Sequence, residues 1–468
     1  MIINTVKKVV ILGSGPGGLE AALRLAKAGL EVIVIEKDKL GGTCLNVGCI
    51  PTKTLLDYSS SFEFFKETIA KNKIFEGNVS INPEALRNYQ QEVIKQLSFG
   101  IEKSFQKSKV KVVNGKATFI SEDKIEVINE KGTTVIEADY FVIATGSKPR
   151  AIPSFQFDGK LIVSSDDLWN IPRIPQSLLV VGSGPIGIEF ARVFHNLGTK
   201  VTISEIKEKI CPILDNEISE NLVRSLKKRG IVLKPNTATK FLEKKDTVKV
   251  EFISTVESKK ENGEYEQVLI ATGREPNTAE LSLDKAGVEL EPVGFIRVNE
   301  YLGTTNKKIW AIGDVTNYPQ LAHTATYQAK AAVRNISGGK VSFNGEFIPS
   351  CIFGYPEIAF AGETEEVLKE KGISYKIGKA LFLSSGKAKA SGHTEGLVKI
   401  LIDARTDKIL GVHIIGPEAS VLIHELVVAM QNNLTAHQVS ESIHAHPTYS
   451  EAISEALESS LKEAVTAQ

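Results

Sequence analysis

The chain has 468 residues, 42% hydrophobic and 24% charged, and its 56 basic residues balance 56 acidic ones. That length predicts about three domains, and zero net charge leaves no field to gather nucleic acid or anionic lipid. No apolar run reaches the ~18 residues a membrane span needs, so small molecules and proteins are the expected partners, with no nucleic acid and no membrane.

Met1 to Val6 leads directly into a strand, leaving no room for a presequence, and the chain reads as cytoplasmic. Val9-Val10-Ile11-Leu12 is a β-branched run suited to a strand buried on both faces. It enters Gly13-Ser14-Gly15-Pro16-Gly17-Gly18, a helix-like stretch follows, and a second strand ends at Glu36, 18 residues after Gly18. This is a complete dinucleotide fingerprint. Gly13 allows the tight turn, Gly15 lets backbone approach a pyrophosphate, Gly18 lets helix pack on strand, and Glu36 can accept from a ribose hydroxyl.

Next comes Gly41-Gly42-Thr43-Cys44-Leu45-Asn46-Val47-Gly48-Cys49-Ile50-Pro51-Thr52-Lys53, holding two of only four cysteines. In a reducing compartment such a pair is catalytic or metal-binding sooner than structural. A thiol pair at the edge of a nucleotide fold points to a dithiol/disulfide couple working with a flavin. Cys211 and Cys351 stand alone and read as buried, inert thiols. Pro83 to Ser108 predicts a helical excursion.

The fingerprint recurs. Leu178 to Val181 runs into Gly182-Ser183-Gly184-Pro185-Ile186-Gly187, and the strand at 201–204 reaches Glu205, again 18 residues past the last glycine. A carboxylate there suits the free 2′-hydroxyl of NAD and repels the phosphate of NADP. Two strands end in the same turn, Ala144-Thr145-Gly146 and Ala271-Thr272-Gly273, and each turn is followed by a proline. They predict the passages between nucleotide units. A further strand ends at Gly313-Asp314, whose carboxylate can bond a polyol or close a turn.

From about Gly345 the chain predicts a separate α+β domain, with strands at 397–402 and 408–415 and helices at 418–432 and 449–465. It contains Ile443-His444-Ala445-His446-Pro447-Thr448-Tyr449-Ser450-Glu451. His446 is a candidate general base, and Glu451 can orient its ring. Thr448 to Glu451 also reads as a capping box opening the last helix, whose stripe is Ile453, Leu457, Leu461 and Val465. Cys44, Cys49, His444 and His446 would alternatively make a four-ligand zinc site. Lys53 and Glu189 are either a charge pair beside the flavin or two exposed helix residues.

Segment Gly41–Lys53 resembles the redox-active segment of the flavoprotein disulfide reductases, and His444–Glu451 is similar to the ending of the branch that acts on dihydrolipoyl groups. The likeness runs over essentially the whole chain. It implies an α/β architecture of two Rossmann-like dinucleotide-binding domains, for FAD and NAD, plus a C-terminal α+β dimerisation domain. The implied boundaries are 1–150 for the FAD unit with its cysteine pair, 151–276 for the NAD unit, 277–344 for a segment completing the FAD unit, and 345–468 for the dimerisation domain.

By the same resemblance Cys44 exchanges with substrate, Cys49 lies next to the flavin, and His446 with Glu451 acts across a homodimer interface. FAD contacts are implied at Gly13, Gly15, Gly18, Glu36, Lys53, Gly115, Thr145, Gly146, Ser147, Asp314, Gln320, Leu321, Ala322 and His323. NAD contacts are implied at Gly182, Gly184, Gly187, Glu189, Glu205 and Gly273. No metal is implied. The partners implied are lipoyl domains of a 2-oxo acid dehydrogenase complex or the glycine cleavage system. Thr54, Pro185 and the stretch Ser384-Ser385-Gly386-Lys387 depart from the commoner family pattern. The rival readings are a glutathione-type reductase, against which Glu205 argues; a mercuric reductase, for which the C-terminal cysteine pair is missing; and a non-catalytic flavin- or zinc-binding scaffold.

Overall fold

A computed structural model describes residues 6–168 and 173–462 of the chain. The expected start at Met1 to Thr5 and the stripe residue Val465 lie outside the described residues. The first strand, Lys8–Leu12, is fully buried from Val9 onward. It ends at Gly13, whose φ of +99° is natural for glycine. Helix α1 (Pro16–Lys27) starts at once, with proline in the first turn, where the missing amide costs nothing. It turns Ala21, Ala22 and Leu25 into the core.

The first sheet is parallel, in the order Ile309–Ala311, Tyr140–Ile143, Lys8–Leu12, Glu31–Glu36, Lys111–Asn114. The chain leaves the central strand on one side and returns on the other, so a crevice opens at the carboxyl ends beside Gly13. Two helices follow the second strand, α2 (Gly42–Asn46) and α3 (Cys49–Glu67). The expected excursion is α4 (Pro83–Lys107), capped by Asn82, whose side chain accepts from the amides of Glu84 and Ala85.

The second sheet repeats the first, in the order Val232–Lys234, Lys200–Ser204, Ser177–Val181, Gln267–Ile270, Ile162–Val163, again all parallel. Helix α5 (Pro185–Asn196) follows its glycine turn, and α6 (Asn216–Lys228) follows its acidic strand end. Each unit carries a three-stranded antiparallel excursion, Lys116–Glu137 in the first and Thr237–Tyr265 in the second. The segments after the two Ala-Thr-Gly turns pair with each other, Arg274 against Pro149 and Pro276 against Ser147. Helix α7 (Ala322–Ile336) then lies against α1.

The C-terminal sheet is antiparallel, in the order Ser350–Ile352, Ile358–Gly362, Ile409–Ile415, Leu397–Asp403, Tyr375–Leu381. Helices Ala419–Gln431 and Glu451–Lys462 cover it. The last helix begins two residues later than the sequence predicts. Tyr449 is held instead by the ring of Phe382 and the hydroxyl of Ser391. Only half of the expected capping box forms. Glu451 accepts from the Thr448 amide, while the Thr448 hydroxyl donates to the Ala445 carbonyl.

One buried ion cluster fastens this sheet to the second nucleotide unit. The Lys399 side chain, 1% exposed, donates to both Asp215 oxygens at 2.9 and 3.0 Å and to Glu365 at 2.7 Å. Burial works against the Lys399 charge, but the two carboxylates hold its pKa above the usual lysine value. Asp215 also caps α6.

Candidate active site

The two glycine turns are built alike. In the first, the Ser14 amide and hydroxyl donate to Glu36 Oε2 at 2.8 and 2.7 Å, and the Asp38 amide donates to Oε1 at 3.0 Å. In the second, Ser183 donates twice to Glu205 Oε2 at 2.9 and 2.7 Å, and the Lys207 amide donates to Oε1 at 3.0 Å. Both carboxylates are buried and fully oriented at the strand end. The serine inside each fingerprint was missed from sequence, although its recurrence at the same position twice was a readable signal.

The glycines divide into two kinds. A Cβ on Gly13 or Gly18 would lie 2.4 Å from the Ala144 carbonyl oxygen or 2.0 Å from that of Gly13, and Gly182 and Gly187 meet Ala271 and Gly182 at 2.5 and 2.2 Å. These four are glycine because the chain itself comes too close. A Cβ on Gly15 or Gly184 would meet nothing within 4 Å. Backbone there faces open crevice, as close approach of a pyrophosphate requires.

The first crevice is a cleft of about 500 Å³ running from Glu36 and Gly115 past Gly13 and Gly15 to Thr145, Gly146, Ser147, Asp314 and Ala322. These residues fit a long dinucleotide: an acid for ribose at one end, bare backbone at the helix start for phosphate, and a second acid beyond. Asp314 is aimed by a relay. Ser147 donates to its carboxylate, and Arg274 in turn holds Ser147 at 2.7 Å. Gln320 donates to the Asp314 carbonyl, and Leu321 occupies the position before α7. The His323 ring turns the other way, bonding the Pro349 carbonyl at 2.7 Å, and burial lowers its pKa.

The dithiol segment sits directly on the first turn. The Gly41 amide donates to Ser14 Oγ at 3.2 Å, and a Cβ on Gly42 would come within 2.9 Å of the Gly15 Cα. Cys44 lies in α2, and Cys49 is the first residue of α3, where the helix N-terminus favours a thiolate. A hydrogen bond from Cys44, burial opposing it, and the Lys53 ammonium bring the Cys49 pKa down to about 7. That same hydrogen bond, burial and the charge on Cys49 push Cys44 upward. Position favours Cys49 as the thiolate of the pair, since it opens α3 under the Lys53 charge. Thr54 is accommodated because its hydroxyl bonds the Ile50 carbonyl one turn back.

Lys53 is not a free surface lysine. Its ammonium contacts both oxygens of Glu189 at 3.0 and 2.8 Å, joining α3 to α5, and the Glu189 carboxylate is 7% exposed. Gly273 takes φ +106°, and its carbonyl accepts from the Arg150 amide. Arg192 donates to the Gly354 carbonyl, whereas Glu205 is bonded by Ser183 and the Lys207 amide. Pro185 starts α5 as Pro16 starts α1.

Of the lone cysteines, Cys211 is fully buried, with its pKa pushed up to about 12. Cys351 is a correction: it is half-buried at the edge of the C-terminal sheet, although burial still raises its thiol to about 11. His446 Nδ1 bonds Glu451 Oε1 at 2.7 Å, and the bond to His446 holds Glu451 below the usual carboxylate range. Orienting the ring and accepting from the Thr448 amide are thus both done by Glu451, one with each oxygen. His444 is held by Glu425 at 3.0 Å. Both ring nitrogens of His444 are engaged, Nδ1 by the Ser442 carbonyl and Nε2 by Glu425, while among the described residues His446 keeps Nε2 free.

The family model described as pyridine nucleotide-disulphide oxidoreductase matches residues 7–329, and the dimerisation domain of the same family matches 348–457. The chain is 40% identical over 451 residues to the mitochondrial dihydrolipoyl dehydrogenase of Pisum sativum, covering 96% of this chain and 90% of that one. It is 41% identical over 454 residues to the dihydrolipoyl dehydrogenase of Manduca sexta, covering 96% and 91%. Among solved structures, LpdA from Mycobacterium tuberculosis superposes with a TM-score of 0.89 at 28% identity, over 97% of this chain and 99% of that one.

Proposed function

The chain belongs to the pyridine nucleotide-disulphide oxidoreductase family, and from that premise we propose how its own residues carry the reaction. The activity is oxidation of dihydrolipoyl groups with reduction of NAD, and the cofactors are FAD and NAD. The observation that carries the mechanism is the thiol pair seated on the first glycine turn, with Cys49 opening α3.

His446, its Nδ1 engaged by Glu451, takes a proton from one substrate thiol at Nε2. The substrate thiolate attacks Cys44 Sγ, the Cys44–Cys49 bond breaks, and Cys49 leaves as a thiolate. A pKa near 7 makes Cys49 the better leaving group. The second substrate thiolate attacks the substrate sulfur bound to Cys44. The dithiolane product departs, Cys44 takes the proton that the second substrate thiol gives up, and His446 keeps the first. FAD, when bound, supplies the two-electron chemistry that returns the dithiol to the disulfide and reduces NAD. Glu36, Gly15, Thr145, Ser147 and Asp314 hold FAD, while Gly184 and Glu205 hold NAD.

The C-terminal domain is the dimerisation domain. The His446 side chain is 78% exposed, so the base is offered to the thiols of a second subunit. Lipoyl domains of a 2-oxo acid dehydrogenase complex or the glycine cleavage system are the substrates, and the cytoplasm, a reducing compartment, is the location this reading assigns. Domain boundaries near 150, 276 and 344 go with this reading.

Anaerobic titration with dihydrolipoamide tests the scheme. A long-wavelength thiolate-to-flavin band is expected after two electrons and should vanish in Cys49→Ser. Complete flavin reduction without that band would sink the disulfide route. Mixing Cys44→Ser and His446→Gln subunits should restore activity if the base acts across the dimer; no recovery in proven mixed dimers would remove that assignment.

A further inference from the structure

We propose that the loop Phe353–Gly354–Tyr355, supplied by the C-terminal domain, is a positioning element for the Lys53–Glu189 pair, with Phe353 and Arg192 as its working residues. Glu189 and Arg192 are three residues apart on α5 and therefore face the same way. Both grip the loop. Glu189 Oε1, which accepts from Lys53, also accepts the Phe353 amide at 3.2 Å. The Arg192 guanidinium donates to the Gly354 carbonyl at 2.9 Å and to that of Phe353 at 3.4 Å.

The far end of the loop is clamped as well. The Tyr355 ring has Arg192 at 5.0 Å and Arg229 at 4.3 Å from its centroid, and Arg229 is itself anchored to Glu395 at 3.1 Å. The loop lies so close to α5 that a Cβ on Gly354 would come within 2.8 Å of the Ile188 side chain. What this places is the Phe353 ring, whose centroid is 4.7 Å from the Lys53 ammonium.

The ammonium is thus bounded by a carboxylate and by an aromatic face, which attracts a cation. The Lys53 side chain is 41% exposed and has a long stem, so without the ring the Glu189 carboxylate alone, among the described residues, would hold the ammonium. Lys53 in turn favours the Cys49 thiolate while the Glu189 carboxylate and burial oppose it, so the balance depends on where the ammonium stands. The loop therefore lets the dimerisation domain set where a charge of the dithiol centre stands.

The inference rests on the reaction assigned above, and its test reads the thiol separately from turnover. The midpoint of Cys49 ionisation is measured in the two-electron-reduced holoenzyme from the pH dependence of thiolate absorbance. Phe353→Leu should raise that midpoint by about half a pH unit. It should also lower kcat roughly two- to fivefold with KM for dihydrolipoamide unchanged. Phe353→Tyr keeps the ring and should restore both. Arg192→Met, which frees the loop, should shift the midpoint in the same direction, and Arg192→Lys should recover part of it. In a Lys53→Met background the Phe353→Leu shift should disappear.

An unmoved midpoint in folded Phe353→Leu overturns the proposal, as does an equal shift in the Lys53→Met background. If the wild type fails to oxidise dihydrolipoamide, the reaction assigned above falls, while the thiol titration still decides the role of the loop.

Discussion

The two nucleotide units solve one local problem identically and then diverge within a few residues. In each, a serine hydroxyl inside the glycine turn donates to the strand-end glutamate and accepts one backbone amide from the segment beyond. In the first unit that amide belongs to Gly41, so the turn carries the dithiol segment. In the second it belongs to Cys211, at 2.8 Å, and four residues later Asp215 reaches Lys399. The same bracket holds chemistry in one unit and a mechanical anchor in the other. A cysteine near a nucleotide turn is thus no sign of redox work: Cys211 is buried with a raised pKa, while Cys49 sits at a helix start under a lysine.

The largest effect expected on this contrast comes from the anchor. Lys399→Met leaves the Asp215 carboxylate buried without its cation and should cost about 3–5 kcal/mol. Calorimetry should show the loss, with the yellow colour of the FAD unit outlasting the NAD-linked activity on heating. Simultaneous loss of both would mean the units do not melt separately.

Next, Gly18→Ala and Gly187→Ala each force a methyl into a carbonyl at 2.0 or 2.2 Å. Overpacking of about 1–3 kcal/mol weakens the bound nucleotide roughly 5- to 150-fold. The first should give a protein short of flavin, the second a yellow one with a raised dissociation constant for NADH by fluorescence titration. Swapped phenotypes would reverse the assignment of the two turns.

Smaller again is the effect of the serine. Ser14→Ala and Ser183→Ala should each weaken their own cofactor about tenfold. Only Ser14→Ala should also speed alkylation of the dithiol, because only there does the hydroxyl hold the redox segment. Equal thiol reactivity in the two variants would break the contrast.

The least expected effect is that of acid. The Lys369 and Lys399 ammoniums outweigh burial and bring the Glu365 pKa to about 2, and Asp215 is lowered as well. A depressed carboxylate adds stability above its ordinary pKa and loses it as pH falls towards the folded value. The anchor should therefore weaken progressively below the ordinary carboxylate range, and Lys399→Met should flatten that stretch of the stability curve. An unchanged acid limb in the variant would remove the anchor as its cause.

Much of this was legible in the chain because turns are local. The fingerprints, the redox segment, the Ala-Thr-Gly repeats and the His446–Glu451 spacing each concern residues close in sequence, where backbone geometry restricts residue type directly. What escaped is non-local or shared between side chains. Nothing in the spacing joins Ser147 to Arg274, Lys53 to Phe353, or Lys399 to Asp215, since these pairs arise only when sheets and helices pack. The start of the last helix was misplaced for a related reason: Thr448 and Glu451 satisfy a local capping pattern, but Tyr449 finds better packing against Phe382, which lies far away in the chain. Half-burial of Cys351 was equally unreadable, because exposure at a sheet edge depends on what covers it.

The pairing of Ser147–Pro149 with Arg274–Pro276 has one further consequence. The second nucleotide unit enters and leaves the first at a single doorway, its two ends one strand spacing apart, about 5 Å. In genetic terms it is a cassette. A short glycine bridge from residue 149 to residue 274 would close the host without stretching it, and the excised piece would carry its own sheet, its own turn and a ready pair of adjoining ends.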